Sequence, residues 1–516
     1  MALCCPSRAS LLTGKAGHNT NVTDVKGPYG GYDKFVAEGF NDRYLPVWLQ
    51  DAGYSTWYIG KLFNSHNPQN YNKPFPAAWN GSDFLLDPYQ YSYFSPMFQR
   101  NEDAPVLHNG SYVTDLLAEK SFGFLDDAVT AGKPFFLTMA PIAPHSQVDT
   151  NLTTLLSSTS APQPKPEHAN LFLDAKVPRA PNFNPEFASL SSGASWVKTL
   201  PRLNATQVEN NDKWHRSRLQ SLQSVDSMVD QLFLRLEQHG IIDNTYVFFT
   251  SDNGYHIGHH RMAPGKTCGY EEDTNVPLIV RGPGVPAGAR FKSPTSMTDL
   301  APTFVKIAGK QPQVDFDGVA IPLTEVAMKT NTRHEHVNIE FWRLSQPGEG
   351  GVRNTTQVAN TYKSLRIVST DYSFYYSVWC TNEHELYDMT SDPYQLNNVF
   401  KDGFNSNSSS NIVVRGTSVP VSRLASRLDG LLMVLKSCSG ISCRDPWGTL
   451  DPTGRITSLL AALSPEYDKF FNGEIPRISF DECKAGYLVE FEGPQYTTAY
   501  QLRPRDGQDP DWAINV

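Results

Sequence analysis

Several short stretches carry side chains that could do chemistry. Near the start stand two adjacent thiols, Cys4 and Cys5, followed by Pro6-Ser7-Arg8 and then Leu12-Thr13-Gly14-Lys15. Adjacent cysteines are, taken alone, a buried pair or half of a disulfide scheme. In mid-chain an apolar run leads into Ser251-Asp252-Asn253-Gly254-Tyr255-His256. Asp252 and Asn253 offer two hard oxygens, the donor type that Ca²⁺ or Mg²⁺ takes, although Asp-Asn-Gly is also good turn chemistry. His256, His259 and His260 could present two imidazoles on one face, as zinc sites do, but no cysteine or carboxylate nearby completes a tetrahedral set. Basic side chains also close three other segments, in Gly60-Lys61, in Ala140-Pro-Ile-Ala-Pro-His145 and in Pro264-Gly265-Lys266-Thr267. Considered singly, each lysine is a solvated charge and His145 a capping or loop histidine.

Together these segments resemble a known family. Cys4, Pro6, Ser7, Arg8, Leu12, Thr13, Gly14 and Lys15 fall at the offsets of the sulfatase signature C-x-P-S-R-x-x-x-L-T-G-K/R. Gly60-Lys61, His145, Asp252-Asn253, Lys266, the run Val276 to Gly284 ending R-G-P-G, Ser296 to Thr303, and Glu385-Leu-Tyr-Asp388 with Asp392-Pro393 match the same family in order, over about residues 1–400. The family often continues G-K as W-H. Here Leu62-Phe63-Asn64 follows, so that histidine is absent and Asn64 or His66 is its candidate replacement. This form, and Cys443-Arg-Asp-Pro-Trp447, is similar to glucosamine-6-sulfatase-like and fungal arylsulfatase-like members.

The resemblance implies a sulfuric ester hydrolase of arylsulfatase type. Cys4 would be oxidised to formylglycine by the formylglycine-generating enzyme, with one hydroxyl of the hydrate attacking sulfur and the other then expelling sulfate. Arg8, Lys61, Lys266, His145 and a divalent cation would gather positive charge around the ester. His145 or His256 would protonate the departing alcohol. Cys4, Asp252 and Asn253 would hold Ca²⁺ or Mg²⁺, and His259 and His260 would lie on the rim. Aryl sulfates and sulfated sugars are both open as substrates. Two other readings stand beside this one: a phosphonate or phosphate monoester hydrolase of the same superfamily, and a catalytically impaired fragment. The second is motivated by the family's Asp-Asp pair, carried on a strand ahead of the signature. No residue precedes Met1 in this sequence, so a chain truncated at its front, with an unfilled cation shell and exposed backbone edges, is the expectation.

Such groups need a rigid frame. Leu45, Val47, Trp48 and Leu49 give a helical face, stopped at Ala52-Gly53, and Tyr54 to Ile59 is strand-like. Asp115 to Val129 reads as helix and Pro134 to Ala140 as a buried strand. Residues 212–239 are the clearest helix, with Leu219, Leu222, Val225, Val229, Leu232 and Leu236 repeating at three and four. Tyr246 to Thr250 is a short apolar strand. Helices alternating with apolar strands predict an α/β sheet buried on both faces, with ligand groups at the carboxyl ends of its strands. By resemblance this is an alkaline-phosphatase-like α/β/α sandwich with a mixed, mostly parallel sheet. Residues 1–340 read as the catalytic domain, with a surface insertion near 150–205, and 341–516 as a smaller α+β domain.

The 516-residue chain is 40% hydrophobic and 19% charged, ordinary globular values. A net charge of −9 supplies no basic patch for nucleic acid, no run reaches bilayer-spanning length, and no signal peptide is apparent. Sequons at Asn21, Asn80, Asn109, Asn151, Asn204, Asn354 and Asn407 suit glycosylation in the secretory pathway of a full-length parent protein. Cys438 and Cys443 are close enough in sequence to bridge, while Cys268, Cys380 and Cys483 have no assignable pairing.

Overall fold

The computed structural model describes residues 1–150, 157–186, 193–331, 335–344, 348–349, 358–404 and 409–502. Its larger sheet is built on strand β1, Ser55–Lys61, whose β-branched and aromatic residues are all buried. Beyond it lie β2 (Gly81–Leu85), β3 (Met97–Arg100) and β4 (Val106–Leu107), with β5 (Phe135–Ala140) on the other flank, in the order β4-β3-β2-β1-β5. β1 pairs in parallel with β2 and β5, and the β3 and β4 pairings are antiparallel. The sheet is therefore mixed.

Alternate side chains of β1 enter opposite layers. Tyr58 joins Cys5, Ala9, Leu12, Leu45, Leu49 and Val305. These come from the helices Cys4–Thr13, Leu45–Asp51 and Leu300–Ile307. Trp57 and Ile59 join Leu117, Phe124, Val225 and Met228 on the far side, from the helices Val113–Thr130 and Ala205–Gln238. The result is helix, sheet, helix. The last of these helices begins seven residues before the predicted start at 212. Asn204 caps it and pairs reciprocally with Gln207, so the capping box sets the start and not the apolar repeat, which begins only near Leu219.

The insertion predicted near 150–205 contains a hairpin of β6 (Gln147–Thr150) and β7 (Ser157–Ser160) and a short helix, Ser195–Lys198. Residues 151–156 and 187–192 within it, and the sequons at Asn151, Asn354 and Asn407, lie outside the described residues. The expectation of a sheet buried on both faces holds for β1 and β2 and needs correction for the strands away from that centre. β8 (Val247–Thr250) pairs antiparallel with β9 (Leu278–Arg281) as a separate two-stranded sheet. Phe249 is 43% and Ile279 61% exposed, and Phe135 to Met139 of β5 are only partly buried. Among the described residues β5 pairs only with β1 and β8 only with β9, so each has one flank without a neighbouring strand to cover its side chains.

The second sheet is an antiparallel meander of β10 (His336–Phe341), β11 (Tyr362–Val368), β12 (Ser373–Trp379) and β13 (His384–Asp388). The helix Val421–Leu435 packs Leu424, Leu428 and Leu431 against Leu365, Tyr376 and Leu386. Cys438 is bonded to Cys443, and Cys380 to Cys483, a pairing the sequence did not reveal; Cys268 remains a buried free thiol. A further cluster, in which Leu3, Met262 and Tyr270 meet Phe341, Tyr362 and Trp379, joins this sheet to the start of the chain.

Candidate active site

Cys4 is the first residue of the helix Cys4–Thr13, where unpaired backbone N–H groups favour an anion. Arg8 lies one turn on, on the same face. Cys4 is 2% exposed, and Lys266 Nζ donates to its sulfur at 3.0 Å. Burial alone would push the thiol up. The ammonium groups of Lys266 and Lys61 outweigh it, against Asp252 and with help from a His145 hydrogen bond, and hold the group at about 5. Burial dominates at Cys5 and pushes its thiol up to about 12. One thiol is an anion at neutral pH and its neighbour is inert.

Arg8 is clamped between two elements. Its Nε donates to Asp252 Oδ2 at 2.8 Å, and Lys61 Nζ stands 3.8 Å from the same oxygen. Arg8 Nη1 donates to Tyr58 Oη at 3.3 Å and to the Lys61 carbonyl, which also accepts from Tyr58. Burial opposes the Asp252 charge, but Arg8, Lys61 and Lys266 hold its carboxyl well below the usual carboxylate range. The close fit of β1 against β5 explains Gly60. Its φ is +101°, and a Cβ there would sit 2.2 Å from the Ala140 carbonyl oxygen. Lys61 and His145 thus leave adjacent strand ends toward one place.

His145 Nδ1 is 2.9 Å from the Ser146 carbonyl. That acceptor assigns the Nδ1 proton and leaves Nε2 for the site, 3.9 Å from Glu349 Oε1. The ring stacks on Tyr91 at 4.1 Å, whose hydroxyl accepts from Asn64 Nδ2 at 2.6 Å. Of the two candidate replacements for the missing histidine, Asn64 therefore lies beside the site. His66 packs against Tyr32, and burial lowers it to about 4.

His256 Nδ1 is 2.9 Å from both Asp273 oxygens, and its buried Nε2 has no partner among the described residues. Its backbone forms a two-way bridge to Gly265 at 2.8 and 3.0 Å, which delivers Lys266 to Cys4. Gly254 lets this turn lie against the short helix Glu271–Thr274, since a Cβ would meet the Glu272 carbonyl oxygen at 2.0 Å. The expectation of a rim position fails for His260. It is 2% exposed, stacked on Tyr270 at 4.1 Å and lowered to about 4 by burial. His259 accepts from the Ile257 N–H at 3.1 Å.

The Asp252-Asn253 pair fits a hard cation. Asn253 Oδ1 is buried without a partner among the described residues, while its Nδ2 donates to Gly254 O at 2.8 Å. An orphaned carbonyl oxygen beside an ionised carboxylate is a donor set for Ca²⁺ or Mg²⁺. The other candidate among the described residues, His18 with Cys438 and Cys443, has its two sulfurs consumed in a disulfide. Sequence reasoning missed Glu349, Tyr91 and Asp273. Asp273 follows the Lys266 segment without a role of its own, Tyr91 lies in a tyrosine-rich stretch, and Glu349 in a Pro-Gly-Glu-Gly sequence that carries no signal.

An ionised sulfur enclosed by Lys266, Lys61 and Arg8, beside oxygen donors for a cation, defines a hydrolase that works on anionic esters. A sulfatase family model matches residues 1–310, and a model for the C-terminal part of N-sulphoglucosamine sulphohydrolase matches 258–414. The chain is 43% identical over 411 residues to the sulfatase ppz1 of Metarhizium majus, covering 80% of this chain and 86% of that protein. It is 35% identical over 503 residues to an arylsulfatase of Volvox carteri, 92% and 74% covered. It is 32% identical over 485 residues to N-acetylglucosamine-6-sulfatase of Bos taurus, 88% and 79% covered. The solved structure of BT4656 with its substrate D-glucosamine-2-N,6-O-disulfate is similar in fold at a TM-score of 0.58 and 22% identity, covering 78% of this chain and 84% of that one. The chain belongs to the sulfatase family. Its fold is alkaline-phosphatase-like and it is a sulfuric ester hydrolase. The family generally uses a formylglycine and a divalent cation. No helix among the described residues is long and apolar enough to cross a membrane, and some relatives are named extracellular sulfatases.

Proposed function

We propose that Cys4 is the residue converted to formylglycine, with the formylglycine-generating enzyme as maturation partner, and that Asp252 and Asn253 hold Ca²⁺ or Mg²⁺. The observation that carries this is the 3.0 Å approach of Lys266 Nζ to Cys4 Sγ. A buried lysine aimed at the first atom of the signature serves no packing purpose. When present, the aldehyde hydrate supplies the nucleophilic hydroxyl, and the cation draws charge from the sulfate oxygens.

Each side chain then has a task. Lys266 and Lys61 neutralise the ester's negative charge. Arg8 keeps the Asp252 carboxylate ionised and aimed at the cation. His145 donates its Nδ1–H to Ser146 O, which turns Nε2 to the site; as the imidazolium it carries on Nε2 the proton that the leaving alcohol takes, returning to the neutral ring. His256, braced by Asp273, turns its unpartnered Nε2 into the site as a substrate contact. The division near residue 340 belongs to the same proposal, supported by separate hydrophobic clusters in the two parts. So does entry to the secretory pathway, supported by two disulfides and the sequons. Peptide mass mapping of protein that releases sulfate tests the central assignment. It should show an aldehyde at position 4 and an intact thiol at position 5; a thiol at position 4 in fully active protein would refute it.

A further inference from the structure

Glu349 is an acidic side chain placed against the groups that must bind an anion. It is pinned there. Its backbone N–H donates to Pro264 O at 2.6 Å, and Ser146 Oγ donates to its Oε2 at 2.8 Å. Its Oε1 stands 3.5 Å from Lys266 Nζ and 3.9 Å from His145 Nε2. Burial resists its charge, but Lys266 and then His145 pull the carboxyl down to about 2, so it is ionised. The Glu349 side chain is 20% exposed against 7% for Lys266. From Cys4 through Lys266 to Glu349 the site runs outward.

A sulfate resting on Lys266 lies within charge–charge range of this carboxylate and is repelled by it. The sulfur end of the ester must face Cys4, so the alcohol end faces Glu349. An ionised carboxylate can only accept hydrogen bonds. A bare aryl group offers it no donor, and the repulsion stands uncompensated. A sugar ring offers hydroxyl or amino N–H groups, and hydrogen bonds to a charged acceptor are the strong ones.

We propose that Glu349 is a specificity-determining residue that selects sulfate esters of sugars, hydroxyl- or amino-bearing alcohols, over simple aryl sulfates. This rests on the sulfate ester hydrolase reading and deepens it. The test is kcat/KM for wild type and Glu349→Gln on 4-nitrophenyl sulfate and on a set of monosulfated glucosamines, with competitive inhibition by inorganic sulfate measured alongside. The variant should lose about tenfold or more on the sugar esters, the worth of one charged hydrogen bond. It should gain on the aryl ester and bind inorganic sulfate more tightly, because the repelling charge is gone. Equal loss on both substrates would make Glu349 a mere support for Lys266 and overturn the proposal. So would unchanged selectivity, or a wild type that cleaves the aryl ester and no sulfated glucosamine. A wild type that cleaves neither would count instead against sulfate ester hydrolysis itself, which keeps the two failures apart.

Discussion

Cys4 and Cys5 share a peptide bond, yet one is held at about 5 and the other at about 12. The difference comes from which thiol faces Lys266 and Lys61. Protein recovered before maturation should therefore be alkylated by iodoacetamide at Cys4 at pH 7, with the rate falling as pH drops through about 5, since only the thiolate attacks. Cys5 should stay unlabelled. A labelling midpoint near the ordinary thiol value of about 8.5 would show that the lysines do not act on the sulfur. The cation and the sulfate contact separate by substitution. Asp252→Ala should lose bound cation and sulfate release together. Lys266→Ala should lower kcat by about 10²–10³-fold with metal content retained, as elemental analysis and sulfate release would show. The sequence marks Cys4, Arg8, Lys61, His145, His256, Lys266, Asp252 and Asn253 as candidates because spaced motifs name them, and the fold brings Cys4, Arg8, Lys61, Asp252 and Lys266 together. The sequence could not supply Glu349 or Tyr91, which enter the site through tertiary approach alone.

At the scale of elements, the strand ends do the positioning. β1 and β5 come close enough at Gly60 that Lys61 and His145 converge. Gly60→Ala would push a methyl into the Ala140 carbonyl in a backbone region that L-residues avoid. A loss of about 1–3 kcal/mol of stability is expected, read by denaturant unfolding, together with a fall in kcat because the two strand ends separate. The helix Ala205–Gln238 could be read from its apolar repeat, but its true start depends on the Asn204 and Gln207 side chains, which periodicity does not report. β8 forms where its apolar run predicts a strand, but beside β9 alone among the described residues. An apolar run such as Tyr246 to Thr250 says that a strand forms, not which strands flank it.

Across the whole molecule, the second sheet is tied to the first residues of the chain by a buried ionic cluster. His18 Nδ1 lies 2.8 Å from Glu340 Oε2, and Lys363 Nζ lies 3.0 Å from that oxygen and 3.4 Å from Glu492 Oε2. Burial opposes both charges, yet Glu340 raises the His18 pKa, and His18 with Lys363 lowers that of Glu340. The Glu340 contribution is present above the ordinary carboxylate value and is lost as pH falls through its depressed one. That of His18 is full below about 6.5 and is lost as pH rises through its raised value. Thermal unfolding from mildly acidic to alkaline pH should show a midpoint that falls on the alkaline side in wild type and stays level there in His18→Gln. The disulfide Cys380–Cys483 closes a separation of 103 residues. Replacing both cysteines by serine should cost about 2–5 kcal/mol of stability while leaving the Cys4 pocket intact. Neither the cluster nor this bridge could be read from the sequence, because both join residues remote along the chain with no motif between them.

The most direct test of the account is the release of inorganic sulfate by wild type and Cys4→Ala, prepared side by side with matched circular dichroism and matched cation content. The account predicts sulfate release by the wild type and a loss of about 10⁴-fold or more in the variant, the scale seen when a nucleophile that acts as one unit with its surroundings is removed. Sulfate release by Cys4→Ala at the wild-type rate would contradict it.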